Sequence, residues 1–263
     1  MLADFDFPSV TVQNHKNGTN LAMANYLCVW LWLSWSIVSS ASAGGDQHIV
    51  LKPIKNDPNL PTKLMVFIPG GNVPNTHYIN TSVAIQNATK INLWVVIPSV
   101  TERLCIIECT AVSKILCEPL HNSVNKAVQK ATGMGFQGDP NPFLVGHSLG
   151  GTCANYLLQT FQASDNYAAA VLMGGYVDES GSGSLTEYRV PIMTLGAQLD
   201  GGIAKPTRIS LWWDQFQQYQ QQHDLDTSLR TKPVIILPKI GRFPNMNDCI
   251  CLPFDLTLYR VGL

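Results

Sequence analysis

Charge is scarce in this sequence. Asp, Glu, Lys and Arg together make up 13% of 263 residues, with 17 basic against 18 acidic side chains. No basic stripe interleaved with aromatics occurs, so the electrostatic footprint of a nucleic-acid-binding surface is missing. Neither sign is in enough excess to select a partner by gross charge. No apolar run reaches the about 20 residues that a membrane-spanning helix needs. The pairs Cys105/Cys109 and Cys249/Cys251 lack the Cys-x-x-Cys spacing of structural zinc sites, and no histidines cluster near them; no metal is expected. No internal repeat is present. Histidine is also sparse, with 6 in the chain and none after His223.

What the sequence does have is apolar bulk. At 46% hydrophobic, the chain suffices for one sizeable core and is short for two. Tyr26 to Val38 (YLCVWLWLSWSIV) is an apolar run of signal-peptide length, closed by Ser39-Ser40-Ala41-Ser42-Ala43, whose Ala-x-Ala ending suits signal peptidase. Met23 offers an internal start, and no Lys or Arg lies between it and the run. The expected organisation is a polar leader over 1–22, untranslated if synthesis starts at Met23, then a signal peptide or signal anchor over 23–43 and a single domain over 44–263. A buried helix is the competing reading of the apolar run. Export to the secretory pathway follows, with membrane contact only through an uncleaved anchor. Cleavage after Ala43 would leave Cys105, Cys109, Cys117, Cys153, Cys249 and Cys251, an even set that an oxidising compartment lets pair, with connectivity open. Asn80-Thr81-Ser82 and Asn87-Ala88-Thr89 are glycosylation sequons, so Asn80 and Asn87 are candidate modification sites in an exported chain.

From His48 onward, short β-branched apolar runs alternate with longer helix-like segments, the pattern of an α/β protein with a mostly parallel central sheet and helices on both faces. Strands are predicted at 64–68, 93–97, 143–146, 168–173, 191–195 and 234–237, with 48–54 as an earlier edge strand. Helices are predicted at 119–131, 150–162 and 206–223, each long enough to return the chain to the start of the next parallel strand. In the last of these, Trp212, Trp213, Phe216 and Tyr219 recur at three- and four-residue spacing and predict a buried stripe.

The most informative stretch is Phe143-Leu144-Val145-Gly146-His147-Ser148-Leu149-Gly150-Gly151-Thr152, a buried strand, a glycine-bracketed serine and a helix start in direct succession. A serine on such a turn needs glycines around it, because side chains at Gly146 and Gly150 would meet the neighbouring helix and strand. The helix then points its positive end at the hydroxyl, and the Leu149 N–H is placed to stabilise an oxyanion. An adjacent side chain on a sharp turn points away, so His147 is not expected to act as base. On this Gly-His-Ser-x-Gly-Gly elbow, the region from about Lys63 to Pro238 resembles the α/β-hydrolase superfamily, in particular its compact esterase, lipase and chlorophyllase-like members. The resemblance implies hydrolysis of small-molecule carboxylic esters through an acyl-enzyme on Ser148, with no cofactor.

The same resemblance assigns the second oxyanion donor to the loop Gly70-Gly71-Asn72, after the first strong strand, and the acid to Asp200, just past the strand at 191–195; Asp178 is the rival. The chain order Ser, Asp, His then requires a histidine shortly after the strand at 234–237, and the sequence has none. His223, near the end of a predicted helix, and His77, near the oxyanion loop, are the low-probability bases. Three explanations stand: a noncatalytic binding protein on the same fold, an unusual base, or a C-terminal segment after about 238 altered by splicing or gene prediction, which we favour. The link at 174–189 is short and rich in Gly and Ser, so no large lid is expected.

Overall fold

The computed structural model describes residues 47–111, 115–160, 166–175, 184–200 and 206–241. The expected leader, the signal peptide or anchor at 23–43, the C-terminal segment after 241 with Cys249 and Cys251, Asp178, and residues 176–183 of the predicted short link lie outside them.

Seven strands form one sheet: β1 (Ile49–Leu51), β2 (Thr62–Ile68), β3 (Asn92–Ile97), β6 (Phe143–His147), β7 (Ala169–Met173), β8 (Ile192–Leu199) and β9 (Val234–Gly241), in the order β1-β3-β2-β6-β7-β8-β9. All neighbours are parallel except β1, which runs antiparallel to β3. The order reverses between β3 and β6. At such a switch point the strand ends open a crevice at the carboxyl edge of the sheet. A small hairpin, β4 (Thr110–Ala111) and β5 (Ile115–Leu116), stands apart from the sheet.

Both faces of the central strands are buried, which explains their continuous apolar runs. Along β2, Leu64, Val66 and Ile68 enter one core, while Met65 and Phe67 enter the other. The first core is covered by α2 (Glu118–Gly133) through Leu120, Val124, Ala127 and Ala131, by α3 (Leu149–Thr160) through Leu157 and Leu158, and by α4 (Pro206–Gln222) through Trp212 and Phe216. The second receives α1 (Ile79–Ala88) through Ile79 and Ile85. Helix α1 was not among the predicted helices: its sequence, INTSVAIQNA, carries too weak an amphipathic pattern to announce it. A further short helix, α5 (Leu225–Thr231), is capped by the Asp224 carboxylate on the Thr227 N–H.

The aromatic stripe of α4 is narrower than expected. Trp212 and Phe216 are buried, but Trp213 is 41% exposed, because one residue along a helix turns a side chain by about 100°.

Candidate active site

The crevice gathers the ends of β2, β6, β7 and β8. Ser148 follows β6 with φ +54° and is buried. This left-handed conformation is disfavoured for any residue with a Cβ and survives only where its surroundings enforce it. Here they do. The Ser148 N–H donates to the Met173 carbonyl at 2.8 Å, and its own carbonyl accepts from Gly151 N–H at 2.9 Å, opening α3. A Cβ at Gly146 would fall on the Gly150 carbonyl, and one at Gly150 on the carbonyls of Ile68 and Pro69. Gly151 and Gly175 also pass so closely that a Cβ on either would crowd the other's backbone. The glycines therefore let β6, α3 and the turns after β2 and β7 converge on the serine.

The loop after β2 is held from two sides. Gly70 N–H donates to the Tyr78 hydroxyl at 2.8 Å, and Tyr78 Oη lies 2.9 Å from His147 Nδ1. Asn72 N–H donates to the Arg103 carbonyl at 2.8 Å. Two of the three expected loop donors, Gly70 and Asn72, are thus engaged within the protein; the third, Gly71, lies between them and against Leu149. Leu149 opens α3, where the first N–H groups have no intrahelical acceptor. Tyr78 was not singled out in the sequence. It stands 8 residues beyond Gly70, on the 3₁₀ turn Asn75–Tyr78, and no local pattern reports that its hydroxyl returns to the loop.

Asp200 directly follows β8 and is 7% exposed. Its Oδ2 lies 3.8 Å from the point where a Gly174 Cβ would stand, and Gly174 follows the strand end whose Met173 carbonyl holds Ser148. The carboxylate therefore stands two strands from Ser148 on the same edge. Gly174 itself has φ +59°, a conformation that favours glycine.

The histidines divide differently. His147 is turned toward Tyr78, away from the base position, in keeping with the alternation of side chains at the elbow. His77 is exposed on the rim near the β2 loop. His223 is removed from the site. It follows α4, which leads from the carboxyl end of β8 back toward the start of β9, and its ring stacks on Tyr219 with centroids 3.9 Å apart. A 17-residue helix spans about 25 Å, so His223 belongs to the opposite edge of the sheet. His48 accepts the Ser99 N–H on Nδ1 at 3.0 Å, and burial with nearby Lys130 and Lys126 holds its pKa below the ordinary value. Burial likewise lowers His121, on α2.

Among the described residues the cysteines pair as Cys105–Cys153 and Cys109–Cys117. The first ties the 3₁₀ turn Cys105–Glu108 to α3, and the second spans the β4–β5 hairpin. Among the described residues no group of three or more His, Cys, Asp and Glu side chains is arranged to hold a metal, and no helix is long and apolar enough to cross a membrane. Asn80 and Asn87 are both exposed on α1.

No family model and no curated protein matches the sequence. Among solved structures, esterase PE8 matches at TM-score 0.51 and 13% identity over 76% of this chain and 93% of its own. A thermostable esterase matches at TM-score 0.49 and 15% identity over 74% of this chain, which spans half of that protein's length. LpqC, a poly(3-hydroxybutyrate) depolymerase from Bordetella parapertussis, matches at TM-score 0.45 and 17% identity, over 76% of this chain and 80% of its own. With the strand order, the lone antiparallel edge strand and a serine in left-handed conformation between β6 and α3, the chain has the fold of the α/β-hydrolase superfamily.

Proposed function

We propose that this protein is an exported serine hydrolase of small-molecule carboxylic esters. Ser148 attacks the ester carbonyl, the alcohol leaves, and water hydrolyses the acyl-enzyme. The N–H groups of Gly71 and Leu149 hold the oxyanion, and Asp200 orients the base. The observation that carries this reading is the left-handed backbone of Ser148, a strained conformation kept at the mouth of a helix by four close glycine contacts. Export is supported by the two disulfides, which belong to oxidising compartments. Exposure of both sequon asparagines suits glycans on Asn80 and Asn87.

The second reading is a noncatalytic binding protein on the same fold, and a specific observation favours it: no histidine follows β9 in the sequence. Loss of the base alone costs a serine triad on the order of a millionfold in kcat. A serine-reactive fluorophosphonate separates the two. Labelling that disappears in Ser148→Ala supports the hydrolase; folded wild-type protein that stays unlabelled supports the binder.

A further inference from the structure

An oxyanion hole works only if both donors reach one oxygen, within about 2.7–3.1 Å of where the charge develops. Here one donor sits on the loop after β2 and the other on α3, two pieces of chain with no local reason to keep a fixed separation. A third segment, 101–109, touches both. Its residues Glu102 and Arg103 have φ +49° and +57°, and Asn72 across from them has φ +58°. These left-handed residues meet where the Arg103 carbonyl accepts the Asn72 N–H. Such backbone strain persists only where surrounding contacts over-determine it.

The contacts are strong ones. One carboxylate oxygen of buried Glu108 accepts both the backbone N–H and the hydroxyl of Thr101, each at 2.7 Å, closing the segment on itself. Cys105 is bonded to Cys153 on α3, and its Sγ lies 3.5 Å from the Leu149 carbonyl. Leu104, next to that cysteine, lies over Gly71: a Cβ there would stand 3.4 Å from Leu104 Cδ2 and 2.8 Å from Leu149 Cδ2.

We propose that segment 101–109, locked by the Cys105–Cys153 disulfide, sets the distance between the two oxyanion donors, and that Leu104 with Leu149 forms the wall for an apolar substituent on the substrate carbonyl. Arg103 and Cys105 are positioning residues, and Leu104 determines specificity. That the held N–H groups are oxyanion donors, like the wall, rests on the hydrolase reading; that the disulfide holds the loop against α3 does not.

The test uses the full chain and two readouts. Amide hydrogen exchange of the peptide covering Gly70–Val73 is compared in wild type, Cys105→Ala/Cys153→Ala and Cys109→Ala/Cys117→Ala. Exchange at least tenfold faster only in the first double variant supports the lock, and equal exchange in wild type and that variant overturns it, whether or not Ser148 reacts. If that variant does not fold, Glu108→Ala releases the segment with the disulfide intact and is judged by the same criterion. The second readout is fluorophosphonate kinetics. Loss of the Cys105–Cys153 bond should lower the maximal labelling rate ten- to a hundredfold, as misplacing one donor does, with the probe's half-saturating concentration within twofold. A merely structural bond would not produce that split, and equal loss in both terms counts against positioning. Leu104→Ala should shift preference severalfold from ethyl toward octyl fluorophosphonate; an unchanged preference overturns the wall. Wild type that resists labelling while its loop exchange responds to the disulfide leaves the lock standing and brings down the hydrolase reading alone.

Discussion

The two halves of the catalytic edge are built to different standards. On the β2–β6–β7 side, backbone meets backbone at Gly146, Gly150, Gly151 and Gly175, Ser148 is fixed by hydrogen bonds at both of its peptide groups, and a disulfide ties the flanking loop to α3. On the β8–β9 side, Asp200 reaches the edge, but the strand pair carries a register shift between Ala197 and Leu199, and Ile236 of β9 is 43% exposed. The first half keeps Ser148, Glu102, Arg103 and Asn72 in left-handed conformations, while the described part of the second half holds no such residue. Left-handed non-glycine residues cost of order 1–3 kcal/mol each and persist only where the surrounding contacts over-determine them, so the first half must hold its backbone far more tightly than the second.

The largest expected effect attacks the dense half. Gly150→Val forces a branched side chain onto two carbonyls of the β2 loop and should cost about 3 kcal/mol or more, read as a collapse of the urea midpoint. Gly133→Ala, at the end of α2 with nothing within 4 Å of its Cβ, should be neutral or gain about 0.5–1 kcal/mol. Equal midpoints for the two variants would show that the glycine contacts around Ser148 are not what packs this half.

The next effect belongs to the other half. Lys232, just before β9, is 2% exposed and donates to the carbonyls of Tyr188 and Val190, the latter at 2.8 Å. Tyr188 in turn is bonded to Asn155 and Gln159 on α3, so this lysine links the β8–β9 region to the nucleophile helix. Burial lowers its pKa from an ordinary 10.5 to about 8. Between these values the unfolded chain carries the extra proton, so stability should rise with pH from about 8 to 10.5, by roughly 3 kcal/mol in full. Below pH 8 the penalty is fully present. The neutral amine still donates to both carbonyls, so the contact survives. Unfolding free energies across this window should climb in wild type and flatten in Lys232→Met; parallel curves would remove Lys232 as the cause.

Within the dense half, Tyr78→Phe removes the acceptor of the Gly70 N–H and leaves that donor buried. A cost of about 1–2 kcal/mol is expected, with fluorophosphonate labelling slowed about tenfold as Gly71 loses its fixed place. Stability loss with an unaltered labelling rate would separate the loop's anchoring from the oxyanion hole.

The same division governs what could be read from the residues alone. The elbow is legible because its signal is local: strand, Gly-x-Ser-x-Gly and helix start are consecutive, even though the backbone that requires Gly150 lies far off in sequence, at Ile68 and Pro69. Each of the six main predicted strands begins or ends within one residue of an observed strand, since strands buried on both faces write continuous apolar runs. Strands β8 and β9 both run past their predicted ends, to Leu199 and Gly241. Helix α1, Tyr78, the Arg103 carbonyl and the pairing of Cys105 with Cys153 were not legible. Their partners are distant in sequence, 48 residues for the disulfide, and hydrogen bonds from backbone groups leave no mark in side-chain pattern.

The smallest effect tests whether the looser half hides a base at the far end of α4. His223 is exposed, its Nδ1 lies 3.0 Å from the Tyr219 carbonyl, and its ring stacks on Tyr219. Those contacts are local to one helix end, where a surface substitution usually changes stability by less than 0.5 kcal/mol. His223→Ala should therefore leave Ser148 labelling within about twofold of wild type and the urea midpoint nearly unmoved. A base removed from a serine triad leaves a very different record: the protein stays folded while the reaction falls by orders of magnitude. If His223→Ala shows that record, α4 must swing its end toward the crevice in solution, and the two halves of the edge are closer in standard than their packing indicates. If labelling is unmoved, the proton acceptor for Ser148 lies elsewhere, and His77 on the rim becomes the next substitution to make.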